Sequence, residues 1–115
     1  MPINEWSDDI TILELEDEPV FSDDVDAFAK RLEQSEDGQL PDVVINMGGV
    51  SHVNSSNIAQ LLRIRKILQD RGGRLRVCSV QDQVWTVLMV TGLDQIFGFT
   101  EDVMTSIASL QIEES

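Results

Sequence analysis

The sequence predicts an α/β domain built on a largely parallel sheet of about four to five strands, with about four helices packed against it. Three observations carry that prediction. Val43-Val44-Ile45 is a β-branched run without charge, as expected of a strand buried on both faces. On either side of it apolar residues recur at helical spacing, first as Phe21, Val25, Phe28, Ala29 and Leu32, then as Ile58, Leu61, Leu62 and Leu68. Gly and Pro punctuate the boundaries, at Gly38 with Pro41, at Gly72-Gly73 and at Gly92, so strands and helices alternate. A chain of 115 residues fits one domain with a small core, residues 1–115.

Taken in order, Ile3 to Ser7 and Ile10 to Leu15 read as an edge hairpin turning at Asp8-Asp9. Glu16-Asp17-Glu18-Pro19 ends the second strand. Ser22 is the expected N-cap of the first helix, with Asp23 and Asp24 favoured in its first turn by the helix macrodipole. The Val43 strand is broken by Gly48-Gly49, and a second helix is expected from Ser55 to Arg71. Arg65 falls within the apolar arc of that helix, so it is expected to snorkel or to mark a polar contact. Leu75, Val77 and Val80 form the next strand, with Cys78 a small buried residue within it.

A third helix is expected from Gln81 to Thr91, with Val84, Val87 and Leu88 inward and Gly92 as its stop. Trp85 and Met89, one turn apart on the shoulder of that stripe, either widen the core face or form an exposed apolar patch. Ile96 to Phe99 reads as a short strand. Thr100 is the expected cap of a last helix whose inward residues are Val103, Ile107 and Leu110, and the tail Glu113-Glu114-Ser115 is expected to fray.

The net charge of −13 argues against nucleic acid, whose affinity rests on Lys and Arg meeting phosphates. Ten of the 21 acidic residues fall between Glu5 and Asp26, and six of the eight basic ones between Arg63 and Arg76. That asymmetry fits solvated faces, or an electrostatically steered protein partner. No apolar run approaches the roughly 18 to 20 residues of a membrane span. The N-terminal residues lack the basic and apolar regions of a secretory signal, so a cytoplasmic protein is expected. Cys78 is the only cysteine and His52 the only histidine, which leaves no internal disulfide and no His/Cys zinc cluster.

The chemistry-bearing stretch runs from Val43 to Arg71. A buried strand passes through a short loop and delivers Asn54-Ser55-Ser56, all good helix N-terminal residues, to the start of a helix. His52 beside the serines raises a hydrolase reading, but a triad also needs an orienting carboxylate and an oxyanion hole, and Asp42 lies at the wrong end of the strand. Gly48-Gly49 is not followed by Gly-Lys-Ser/Thr, so there is no P-loop. A phosphate-receiver domain needs an Asp at the end of the central strand and a late Lys; here Asn46-Met47-Gly48 follows Ile45, and no Lys follows Lys66.

The ordered series resembles the STAS domain (sulfate transporter and anti-sigma factor antagonist). That family shows a buried strand, a loop ending Asp-Ser-Ser-Gly-Leu, and then a helix; the matching residues are Asn54-Ser55-Ser56-Asn57-Ile58. Asp70-Arg71-Gly72-Gly73-Arg74-Leu75 resembles the family's helix end and next strand. Val84 followed by Thr91-Gly92-Leu93-Asp94-Gln95-Ile96-Phe97 resembles its third helix and closing turn. The likeness spans about Asp42 to Phe99. Two residues depart from the pattern: Asn54 stands for Asp and Asn57 for Gly. The glycine usual before the first helix is replaced by the Glu16–Pro19 stretch.

The resemblance implies a regulatory protein of the anti-sigma factor antagonist type, acting by protein–protein contact, with no catalytic residue, cofactor or metal. It implies Ser56 as phosphoacceptor and His52, Asn54, Ser55, Ser56 and Asn57 as partner-binding residues. The implied partner is an anti-sigma factor or serine kinase of the histidine-kinase-like ATPase type, not nucleic acid or membrane. Two alternatives stay open. One is a STAS scaffold or assembly subunit that never accepts phosphate, in which Ser55 and Ser56 only cap the helix. The other is a module that binds a small ligand, a nucleotide or a lipid.

Overall fold

Val43, Ile45 and Met47 point to one side of the central strand and Val44 to the other, and both sides are buried. A strand covered on both faces requires a layer of helix on each, and the structure, a computed structural model describing residues 3–113, supplies both. The chain runs β1 (Ile3–Glu5), β2 (Ile10–Glu16), α1 (Val20–Gln34), β3 (Asp42–Gly49), α2 (Ser55–Asp70), β4 (Leu75–Cys78), α3 (Asp82–Val90), a 3₁₀ turn at Leu93–Gln95, β5 (Gly98–Thr100) and α4 (Val103–Glu113). The five strands lie in chain order in one sheet. β1 pairs antiparallel with β2, through Asn4 opposite Ile12, and the remaining pairs are parallel. The expected single α/β domain with a mostly parallel sheet is what forms.

Because strand order equals chain order, successive right-handed crossovers pass over the same face. Helices α1 to α3 accordingly share one side, where Phe21, Phe28, Leu61, Ile64, Val84 and Leu88 join Leu13, Val43, Ile45 and Val77 in the main core. The other side is covered by α4, whose Ile107 and Leu110 pack on Ile10, Ile12, Val44 and Cys78. Phe21, Phe28, Leu13 and Ile45 are fully buried, so truncating any of them to Ala costs about 2–5 kcal/mol. Arg74 and Asp42, 2.8 Å apart, tie the start of β4 to the start of β3. Among the described residues no helix is long and apolar enough to cross a membrane.

Several boundaries differ from expectation, each for a local reason. The β3 strand continues through Gly48-Gly49. At Gly49 a Cβ would sit 2.9 Å from the Leu15 carbonyl, so glycine permits close approach to β2 and does not break the ladder. Helix α1 begins at Val20, ahead of Ser22. Glu18 reaches forward to accept from the Ser22 N–H (2.7 Å) and hydroxyl (2.6 Å), so Ser22 lies inside the first turn as a donor to a carboxylate outside the helix and is not the cap.

The strand expected at Ile96–Phe99 is displaced by two residues, with Ile96 and Phe97 outside it. Leu93–Gln95 is a 3₁₀ turn entered through Gly92 at φ 78°, and β5 starts later, at Gly98. Thr100 closes β5, and Asp102 caps α4 instead, its carboxylate accepting from the Thr105 N–H at 2.7 Å. On α3, Val84 and Leu88 are buried as expected, while Val87 is half-buried. Trp85 is also half-buried, edge-on to Phe99 with ring centroids 4.9 Å apart, whereas Met89 is 49% exposed. Glu113 ends α4; Glu114 and Ser115 of the expected frayed tail lie outside the described residues.

Candidate functional site at the start of α2

Parallel strands deliver their following loops to one edge of the sheet, and this edge gathers the β2–α1 loop, the β3–α2 loop and the turn after β4. Ser79, at the end of β4, adopts φ 59°, a left-handed conformation unusual for a residue with a side chain. Its N–H donates to the Glu101 carbonyl at 3.1 Å. Gln81 donates from Nε2 to the Gly48 carbonyl at 2.9 Å, which fixes the end of β3.

The N-terminus of α2 is closed by two asparagines. Asn54 is the N-cap: its Oδ1 accepts the Asn57 N–H at 2.9 Å, and its own N–H donates to Asn57 Oδ1 at 3.0 Å. This reciprocal pair is a capping box made without Ser or Glu. Neither Ser55 nor Ser56 is the cap. Asn57 is only 1% exposed, and its Nδ2 donates to Gln60 Oε1 at 3.3 Å. Gln60 in turn donates to Asp26 at 3.2 Å, bridging α2 to α1. The Asn57 side chain is therefore turned into the domain, where it shapes the helix start, and is not on its outer surface.

Ser55 and Ser56 are both exposed in the first turn, and among the described residues no hydrogen bond engages either hydroxyl. That first turn carries no acidic residue. The turn therefore supplies no negative charge of its own to its leading N–H groups and the positive end of the helix dipole, an arrangement receptive to an added negative group. His52 and Asn54 are exposed on the same loop.

One functional residue was not identified from the sequence. Asp17, in the stretch where the family's usual glycine is missing, grips the β3–α2 loop. Its Oδ1 accepts the Ser51 N–H at 2.7 Å and the His52 N–H at 3.2 Å, and its Oδ2 accepts the Ser51 hydroxyl. The Ser51 hydroxyl, then its N–H, hold the Asp17 carboxyl below the usual range. Since the Ser51 hydroxyl gives its one proton to Asp17, His52 Nδ1, 2.8 Å from that oxygen, is the donor of the pair. A serine triad needs the imidazole between hydroxyl and carboxylate; here the serine stands between them, and the geometry is a loop clamp. Asp42, the carboxylate considered from sequence, is occupied with Arg74 at the opposite end of β3. Among the described residues no group of three or more His, Cys, Asp or Glu side chains could hold a metal ion.

A family model for the STAS domain matches residues 2–107. The chain belongs to the STAS domain family. Solved STAS structures share its fold. An anti-sigma-factor antagonist (STAS) domain protein from Planctomyces limnophilus superposes with a TM-score of 0.78 at 19% identity, covering 95% of this chain and 96% of that one. A serine-to-glutamate variant of RsbS from Moorella thermoacetica gives 0.77 at 18% identity, covering 100% of both chains. The STAS domain of a SulP transporter from Vibrio cholerae gives 0.77 at 16% identity, covering 95% and 88%. No curated protein matches the chain significantly in sequence. STAS proteins are generally non-enzymatic regulators, and these neighbours extend from anti-sigma factor antagonists to a transporter domain. At such identities the likeness fixes the fold and leaves the role to the site.

Proposed function

We propose that this STAS domain is a cytoplasmic regulator of the anti-sigma factor antagonist type. It acts by protein–protein contact without catalysis, and phosphorylation of Ser56 switches the contact. The observation that carries the reading is the setting of Ser56: an exposed hydroxyl, engaged in no hydrogen bond among the described residues, in the first turn of α2, which contains no acidic residue. A kinase can reach that hydroxyl without unfolding the domain, and the helix N-terminus tolerates the product. Phosphorylation adds about −1.5 to −2 charge to a surface otherwise formed by Ser55, Asn54 and His52, and that charge weakens binding to a negative partner group. Asn57 contributes by holding the helix start in shape from inside. The partner is an anti-sigma factor or serine kinase of the histidine-kinase-like ATPase type, and the output is regulated transcription.

Incubation with the cognate kinase and ATP, followed by mass spectrometry, tests the reading. One phosphate on Ser56 is expected. A fully active kinase that labels no serine would leave the second reading, a STAS scaffold or assembly subunit. That reading is favoured by one observation: the carboxylate expected at residue 54 is replaced by Asn54, which caps as well but carries no charge.

A further inference from the structure

Thr11 is only 6% exposed, yet its hydroxyl makes no hydrogen bond among the described residues. A hydroxyl withdrawn from bulk water without a partner is costly. No fully buried side-chain nitrogen or oxygen of the described residues lacks a partner, so this hydroxyl stays open to the hollow that its residue lines. Thr11 points the same way from β2 as Leu13, toward α1, and its cross-strand neighbour on β1 is Glu5.

The hollow measures about 510 Å³, within the range of small-molecule sites. It lies between the β1–β2 hairpin and the C-terminal half of α1, at the end of the parallel strands opposite the Ser56 loop. Phe28, Leu32 and Leu40, all buried, close its floor. A second hollow of about 510 Å³ adjoins it and shares Asp8, Asp37, Leu40 and Pro41 with it. The two form one trough between the turn at residues 7–9 and the loop at residues 35–41. The Asp42 N–H, donating to the Asp9 carbonyl at 2.8 Å, holds that turn against the start of β3.

The trough is acidic. Among the described residues Arg31 is the only cation on its walls, and it pairs with Glu5. Asp42 is engaged by Arg74. The carboxylates of Asp8, Asp9 and Asp37 have neither ion pair nor hydrogen bond among the described residues.

We infer that this trough binds a linear aliphatic polyamine. Asp8 and Asp37, which line both hollows, accept from its ammonium groups; the Thr11 hydroxyl accepts from one of them, and the methylenes between lie over Leu40 and Pro41. An ammonium group only donates and an ionised carboxylate only accepts, so the two match, and charge-assisted bonds of this kind are the strong ones. The same charge repels a nucleotide or a phospholipid headgroup, whose phosphates would meet carboxylates. The site is independent of the Ser56 reading.

Amide NMR titration of the whole chain with spermidine, at fixed pH and ionic strength, tests this. Saturable shifts at Thr11, Asp37 and Leu40 are expected. Thr11→Val, which keeps the size and removes the hydroxyl, should weaken binding at least about threefold, and Asp37→Asn about tenfold. Asp23→Asn, at the other end of α1, should leave affinity unchanged. Putrescine should bind, and butylamine, with one ammonium on the same carbon chain, should bind at least about tenfold more weakly than putrescine. Non-saturating shifts spread over the acidic surface, equal losses in Asp23→Asn and Asp37→Asn, unchanged affinity in a folded Thr11→Val variant, or butylamine binding as tightly as putrescine would each overturn the proposal.

Discussion

The Asp17 carboxylate spans the gap between two loops and accepts both the N–H and the hydroxyl of Ser51. The bond joins the exit of β2 to the exit of β3, two adjacent parallel strands, and it determines where His52 and the start of α2 are presented.

Those bonds give Asp17 a folded-state pKa below its ordinary value, with the Ser51 hydroxyl as the largest cause. A depressed carboxyl contributes stability that is present above the unfolded value, about 3.9, and is lost as pH falls through the folded value. Asp17→Asn should therefore melt below the parent at pH 7, and the gap between the two should close below about pH 4. Thermal melts of both proteins across that range check it. A gap that stays constant with pH would mean that the charge of Asp17 does not hold the loop.

The Asn54–Asn57 box makes a second prediction. Asn54→Ala removes the cap acceptor and should cost about 1 kcal/mol. Asn57→Ala removes the acceptor of the Asn54 N–H and also the donor to the half-buried Gln60 Oε1, and should cost about 1–3 kcal/mol. Ser55→Ala touches no cap bond and should stay within about 0.5 kcal/mol of the parent. Urea unfolding of the three variants ranks them. A Ser55→Ala loss equal to that of Asn54→Ala would place the cap one residue later.

The core was legible in the sequence because burial there follows local period. The β3 run and the α1 stripe Phe21, Val25, Phe28, Ala29, Leu32 are buried as the spacing predicts. Helix α2 was read with its arc slightly rotated. The buried series is Asn57, Leu61, Ile64, Leu68, while Ile58 and Leu62 are only partly covered, because a polar residue heads the stripe and hid its true line. Asn57 shares that i, i+4, i+7, i+11 line, so a helical wheel that admitted polar residues would have placed it inward. The β5 boundary moved because Ile96-Phe97 has strand composition, whereas Phe97 is used to plug the core and Phe99 to meet Trp85. The Asp17 clamp was not legible: it joins residues 34 positions apart, and no local pattern encodes such a contact.

Cys78 packs between the sheet and α4 with no exposed surface, and burial pushes its thiol up. The reactive species is the thiolate, so the native protein should be modified by a thiol reagent at pH 8 far more slowly than in urea. Labelling rates in the two conditions measure this. Equal rates would mean that α4 opens readily from the sheet, since Ile107 and Leu110 cover the same cluster.

Ser56 carries the last prediction, which separates stability from signalling. The first turn of α2 has no acidic residue, so Ser56→Asp adds a carboxylate where the dipole favours one by about 0.3–1 kcal/mol. The hydroxyl that is lost made no hydrogen bond among the described residues, so nothing in the cap is sacrificed. The unfolding midpoint should hold or rise slightly. If Ser56 lies in the partner contact, the same substitution should weaken partner affinity, and Ser56→Ala should keep affinity while abolishing phosphorylation. Asn54→Asp, which restores a carboxylate without losing the cap, should raise the phosphorylation rate if charge at residue 54 assists phosphoryl transfer. Midpoint and affinity must be followed together, because a variant that loses both has merely unfolded. A Ser56→Asp protein that is as stable as the parent and binds the partner equally well would remove Ser56 from the contact and leave the scaffold reading.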